Sequence, residues 1–213
     1  MELKVHDLIQ INSANDLMYH TKKPNWVDAS IKRAPFVVIR RVHSEGGFIP
    51  VGIRGTRRDE RFAAFVHVNN IVDTFSPEQI AQARDWIHHD KEIFFYLEQI
   101  ENIMNDNAID WGPVGSVGFE LVSKVPTVND KSDIDLIIRH PSTLTPELAK
   151  EIVDELNQLP VLTDIQVETV EGSFSLKEYA YCKGKPILLK TKNGPLLKNV
   201  SSSIDIEEFY PPI

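Results

Sequence analysis

Asp133 and Asp135 stand two residues apart in SDIDLIIR, and Gly115-Ser116 precede them in WGPVGSVG. Alternate residues of a strand share a face, so a strand at this point sets both carboxylates side by side. Like charges at the margin of an apolar sheet are unfavourable unless a cation neutralises them, and a hard ion such as Mg2+ prefers carboxylate oxygen. Gly115-Ser116 is expected where a loop enters a strand. Backbone N–H groups and a hydroxyl there approach phosphate oxygens with no Cβ in the way. A third acid is available in LTDIQVE, where Asp164, Gln166 and Glu168 share one face. Residues 32–61 hold Lys32, Arg33, Arg40, Arg41, Arg54, Arg57, Arg58 and Arg61 against only Glu45, Asp59 and Glu60. Guanidinium groups bind phosphate in a fixed fork, so this cluster suits a compact polyanion.

The elements that must hold these groups follow from pattern. Ile134–Arg139 reads as a strand, 117–122 as a strand after the Gly-Ser loop, and 125–132 as the polar loop between them. Further strands are expected at 161–168, 173–176 and Ile187–Thr191, with an Asn193-Gly194 turn before Leu196. Thr145-Pro146-Glu147 opens a helix carrying Leu148, Ile152, Val153 and Leu156 on one face, stopped by Pro160. Ser76, Pro77 and Gln79 form a capping-box start. Helical periodicity then runs through Ile80, Ala83, Ile87, Phe94, Leu97, Ile100 and Met104, with a break near His88-His89. Residues 1–75 read as strand and loop, with a Gly46-Gly47 hairpin between strands at 36–41 and Phe48–Arg54 and another strand at 62–68. The expectation is an α+β protein: a strand-rich N-terminal module over 1–75 and a catalytic module over 76–213 whose mixed sheet is flanked by helices.

Composition removes other classes. The 213 residues are 42% hydrophobic and 25% charged, an ordinary globular balance. A formal charge of −8 sets the average surface against phosphate backbones, so no nucleic-acid partner is expected. No run approaches the roughly 20 apolar residues that cross a bilayer, and MELKVHDLIQ lacks a signal-peptide pattern, so no membrane partner is expected either. The single cysteine, Cys182, excludes an internal disulfide and a cysteine-built zinc site, and a cytoplasmic protein is the economical reading.

A Gly-Ser loop, a DxD strand and a later apolar-Asp strand resemble the nucleotidyltransferase superfamily that includes polymerase β, over residues 95–191. The gap from Ser116 to Asp133 is longer than usual there, implying a family-specific loop, and Thr163 replaces an apolar flank of Asp164. A closer likeness runs over most of the chain. WGPVGSVGFELVS, SDIDLIIR, HDLIQI and IPVGIRGTRRDERFAAF together resemble the malonate decarboxylase holo-acyl-carrier-protein synthase family, also called phosphoribosyl-dephospho-coenzyme A transferase. That resemblance implies transfer of the 2′-(5″-phosphoribosyl)-3′-dephospho-coenzyme A group from its triphosphate precursor to a serine of the apo acyl-carrier subunit, with release of pyrophosphate. It also implies Mg2+ on Asp133, Asp135 and Asp164, with Glu168 as the fallback third acid. Asp164 would lie nearest the serine hydroxyl and assist its deprotonation. Gly115 and Ser116 would hold the leaving pyrophosphate, with Arg54, Arg57, Arg58 and Arg61 as a second grip.

Plainer readings stand beside these. The arginines are equally an exposed strand face. Gly112, Gly115 and Gly118 mimic a dinucleotide fingerprint, but their spacing is wrong and no apolar strand is expected before them. His88, His89 and His140 lack metal-site spacing, Trp111 reads as a packing anchor, and Cys182 as inert. Lysines 183, 185, 190, 192 and 198 form either a solvated face or a landing surface for an acidic carrier. Two rival functions remain at this level: a nucleotidyltransferase that places AMP or another nucleotide on a protein or small molecule, and a nucleotide-binding module without turnover.

Overall fold

The computed structural model describes residues 2–199 apart from 44, 58, 130 and 140–143; Arg58, His140 and the C-terminal tail thus lie outside the described residues. The first half builds one sheet from β1 (Leu8–Ile11), β2 (Leu17–Met18), β3 (Phe36–Ile39), β4 (Phe48–Arg54), β5 (Arg61–His67) and β6 (Ile71–Phe75), with α1 (Trp26–Arg33) between β2 and β3. The spatial order is β2-β5-β4-β3-β1-β6, and every pairing is antiparallel. Gly46 and Gly47 both take positive φ in the β3–β4 connection, as the hairpin signal required.

Helix α1 is absent from the strand-and-loop expectation for 1–75. It buries only Val27 and Ile31, against a cluster that includes Ile9, Val37, Val51 and Val66. Two apolar anchors among Asp28, Ser30, Lys32 and Arg33 are too few to show a helical stripe without the sheet beneath them.

The second sheet follows α2 (Pro77–Ala83) and α3 (Glu92–Asp106). Its elements are β7 (Trp111–Pro113), α4 (Gly115–Ser123), β8 (Ile134–Arg139), α5 (Pro146–Leu156), β9 (Thr163–Glu168), β10 (Ser173–Ser175), α6 (Leu176–Tyr181), β11 (Ile187–Thr191) and β12 (Gly194–Lys198). Strands run in the order β12-β11-β10-β9-β8-β7. Only β8 and β9 are parallel, joined through α5, so the sheet is mixed. The Ser76 capping box forms, with Ser76 N–H donating to Gln79 at 2.8 Å and Gln79 N–H to Ser76 Oγ at 3.2 Å, contributing about 1 kcal/mol. The long periodic stretch divides where Arg84 takes a left-handed conformation after α2.

Ile134, Leu136 and Ile138 of β8 are fully buried in one core with Phe94, Leu97, Ile100 and Met104 of α3 and Ile152 of α5. Each such side chain contributes roughly 1.5–3 kcal/mol on burial, so β8 is anchored along its whole length. Asp135, Ile137 and Arg139 take the opposite face. His89 packs on Phe94 at 4.3 Å and Trp111 is buried beside Trp86, both as packing residues. Cys182 is free and half-buried. No helix among the described residues is long and apolar enough to cross a membrane.

The two sheets are joined by polar bonds sealed from water. Arg139, at the end of β8, donates to Asp7 Oδ1 at 2.9 Å, to Glu78 at 3.2 Å and to the Val5 carbonyl. The Arg139 and Asp7 side chains are only 6% and 3% exposed. A second tie runs from Arg41, next to β3, to Glu168 at the end of β9.

Candidate active site

A cavity of about 870 Å³ lies between the sheets. Arg54 and Arg61 line it from the first sheet, and Gly115, Ser116, Asp133 and Asp135 from the second. The glycine turn carries the geometry on the second side. β7 ends at Pro113, and Val114 N–H donates to the Asp135 carbonyl at 2.9 Å. Gly115 then takes φ +60° and starts α4. A Cβ built there would sit 2.8 Å from Asp135 Cγ and closer still to Oδ2, so the carboxylate packs directly against the bare α-carbon.

Two strand expectations are corrected here. Residues 117–122 form most of α4, not a strand, and Gly115-Ser116 open a helix instead of leading into a strand. The alternation of Val117, Phe119 and Leu121 imitates a strand because α4 is buried on two sides. Val117 and Leu121 pack into the core while Phe119 lines the cavity. A short strand, β7, precedes Gly115 and Gly118 and contains Gly112. Val114 has no side chain able to cap α4, which suits the leading N–H groups of that helix to phosphate oxygens. Likewise Leu176, expected in a strand, begins α6 behind the Ser175 cap.

The long loop from Ser116 to Asp133 is held by a group that motif reading missed. Glu120 is 3% exposed and accepts from Lys91 Nζ (2.6 Å), Thr127 N (2.6 Å) and Val128 N (2.7 Å). Burial opposes its ionisation, but the bonds from Lys91, Val128 and Thr127 outweigh it and hold the carboxyl below its ordinary range. Thr127 Oγ1 also donates to the Ser116 carbonyl at 2.9 Å, tying the loop to the first turn of α4. A lone acid within the apolar VGFELV was the available signal.

Arg54 and Arg61 are paired directly across β4 and β5. Like charges placed so are destabilising without an anion between them. Arg54 Nε is buried and has no hydrogen-bond partner among the described residues, and its guanidinium lies 5.6 Å from the Phe119 ring centre. Burial, then repulsion from Arg61, lowers its proton affinity, while Asp135 works in the other direction. Arg57 does not join them: it is exposed and bonded to Asp59 at 2.8 and 3.0 Å.

The third acid is placed differently from the first two. Asp164 is in register with Asp135 on the adjacent parallel strand, yet it is exposed and lines a smaller cleft with Leu162 and Lys177. Glu168 is bonded to Arg41 and lies 3.5 Å from His6 Nε2. Among the described residues, no three His, Cys, Asp or Glu side chains gather closely enough to hold an ion. Asp133 and Asp135 still fit Mg2+, which is commonly held by one or two carboxylates together with substrate phosphates.

An α+β chain whose two sheets close a cavity bearing paired carboxylates, a bare glycine turn and opposed arginines has the parts of a phosphate-handling protein. Two family models match it in succession. The phosphoribosyl-dephospho-CoA transferase MdcG N-terminal domain matches residues 4–77, and the C-terminal domain of the same transferase matches residues 79–201. Curated relatives named phosphoribosyl-dephospho-CoA transferase include one from Pseudomonas fluorescens, 34% identical over 83% of this chain and 84% of the relative. One from Klebsiella pneumoniae is 33% identical over 90% and 92%, and one from Pseudomonas aeruginosa is 31% identical over 82% of each. The chain belongs to the phosphoribosyl-dephospho-CoA transferase family. No solved structure matches it.

Proposed function

We propose that this chain transfers the 2′-(5″-phosphoribosyl)-3′-dephospho-coenzyme A group from its 2′-(5″-triphosphoribosyl) precursor to a serine of the apo acyl-carrier subunit of malonate decarboxylase, releasing pyrophosphate. One observation carries the reading: Asp135, packed on Gly115, faces the opposed arginines Arg54 and Arg61 across one cavity. Carboxylates, uncapped helix N–H groups and guanidinium groups around one space suit a triphosphate and its departing pyrophosphate.

In this reading the second sheet is a polymerase-β-like nucleotidyltransferase core and the enzyme depends on Mg2+. Asp133 and Asp135 hold the ion together with substrate phosphates, and Asp164, exposed on the next strand, stays outside this set. The ion, when bound, neutralises charge on the attacking and leaving oxygens. Gly115 and Ser116 receive the pyrophosphate, and Arg54 and Arg61 draw its negative charge away from the serine. A cytoplasmic setting accompanies this reading, in keeping with a single unpaired cysteine.

The test is incubation with apo carrier subunit, triphosphoribosyl precursor and Mg2+, followed by intact mass measurement of the carrier. Gain of the prosthetic group is expected from the wild-type chain and not from Asp135→Asn, which preserves shape and removes charge. No gain from the wild type refutes the proposal. Full-rate adenylylation of the carrier from ATP would point to a nucleotidyltransferase with another donor.

A further inference from the structure

His6 occupies a backbone position that suits it poorly. It is the third residue of the turn Lys4-Val5-His6-Asp7, closed by Asp7 N–H donating to the Lys4 carbonyl at 3.1 Å. Its φ is +72°, where a side chain is strained and glycine is at ease. The turn is nonetheless fixed from several directions. Asp7 accepts from Lys4 N–H at 2.8 Å, Arg139 bonds both Asp7 and the Val5 carbonyl, and His6 N–H donates to the Ile39 carbonyl at 3.0 Å. Strained residues persist where the surroundings over-determine them, and they cluster at functional sites.

His6 lines the same cavity as Asp133, Asp135, Arg54 and Ser116. Its Nε2 is 3.5 Å from Glu168 Oε1, and Arg41 holds that carboxylate from another side. A proton acceptor is what the cavity otherwise lacks among the described residues. With Asp133 and Asp135 given to the ion, the remaining titratable groups lining it among the described residues are arginines, Lys131 and His6. Arginine stays protonated, and lysine ordinarily titrates far above neutrality. Imidazole is the side chain that ordinarily has a lone pair free near neutral pH. Asp164, expected from sequence to assist deprotonation, is exposed and does not line this cavity.

We infer that His6, oriented by Glu168, is the proton acceptor for the attacking serine. This rests on the transfer reaction proposed above. Glu168 keeps the ring proton on Nε2 and leaves the lone pair on Nδ1. The serine Oγ forms its bond to the α-phosphorus while its proton passes to Nδ1. The bond from that phosphorus to the oxygen bridging to the β-phosphate breaks, and its electron pair leaves on pyrophosphate. The imidazolium then returns its proton to water. Glu168 acts here as a positioning residue, and its bond to Arg41 remains when the ring is removed.

His6→Gly tests this cleanly, because glycine fits φ +72° and removes the imidazole. The variant is expected to keep its fold by circular dichroism and its affinity for inorganic pyrophosphate by calorimetry. Its kcat for carrier loading should fall on the order of 10²-fold or more, with the KM for the triphosphate donor unchanged. Added imidazole should restore part of the rate saturably. His6→Asn, which also tolerates left-handed backbone, is the second variant and should lose rate equally. Wild-type kcat in either variant, a rise in KM alone, or failure of imidazole to restore any rate overturns the assignment. No adduct from the wild-type chain would instead remove the transferase reading, and His6 with it.

Discussion

Gly115→Ala isolates the contact on which the site geometry turns. Glycine holds φ +60° there, and an L-residue in the left-handed region costs roughly 1–2 kcal/mol. The new methyl would sit 2.8 Å from Asp135 Cγ, whereas carbon atoms settle at about 3.5–4.0 Å. Relief therefore demands a shift of about 1 Å in the carboxylate or in the first turn of α4. Backbone yields poorly on that side, because Val114 N–H is bonded to the Asp135 carbonyl, so the carboxylate takes most of the displacement. A misplacement of about 1 Å in a reacting constellation costs on the order of 10²-fold in rate. Denaturant titration should thus show a loss of about 1–2 kcal/mol. Carrier loading at saturating donor, followed by intact mass, should slow on the order of 10²-fold. An alanine variant with wild-type stability and wild-type turnover would refute the claim that Asp135 rests on a bare α-carbon.

Three further outcomes are expected. Glu120→Ala leaves the Thr127 and Val128 N–H groups and Lys91 without their shared acceptor; it should cost about 1–3 kcal/mol in denaturant unfolding and slow transfer by loosening the approach to Asp133. Because the folded-state pKa of Glu120 is depressed, its bonds contribute fully above the ordinary carboxyl range and are lost as pH falls through the lower value. The amide proton shifts of Thr127 and Val128 should therefore titrate with a midpoint below 4.5, and a midpoint at or above that value contradicts the assignment. Arg54→Met should weaken inorganic pyrophosphate binding by about tenfold or more in calorimetry, consistent with loss of a charge-assisted bond, whereas Arg57→Ala, exposed and paired with Asp59, should leave it unchanged.

Much of the frame was readable because local chemistry and tertiary packing agree. Ile134–Arg139, Phe48–Arg54, Ile187–Thr191 and the Ser76 capping box stand where pattern and caps put them. Asp135 stands in β8 as read, whereas Asp133 falls just ahead of that strand; both still line the cavity. Failures occurred where burial is two-sided or anchoring is sparse. Helix α4 looks like a strand because it packs on the core and the cavity at once, and α1 has only two buried anchors.

By itself the amino-acid order determined the strand carrying Asp135, with Asp133 just before it, the glycine turn ahead of them, and the family likeness, since these depend on neighbours a few residues apart. Which arginines face the carboxylates was decided only by folding: Arg54 and Arg61 enter the cavity, while Arg57, a few residues away, turns to Asp59. Only folding could bring His6 against Glu168 across 162 residues of chain, or leave Asp164 exposed outside the cavity that its register partner Asp135 lines. The reason is physical. Such contacts are set by how two sheets dock through Arg139, Asp7 and Arg41, and docking geometry has no signature in any short stretch of sequence.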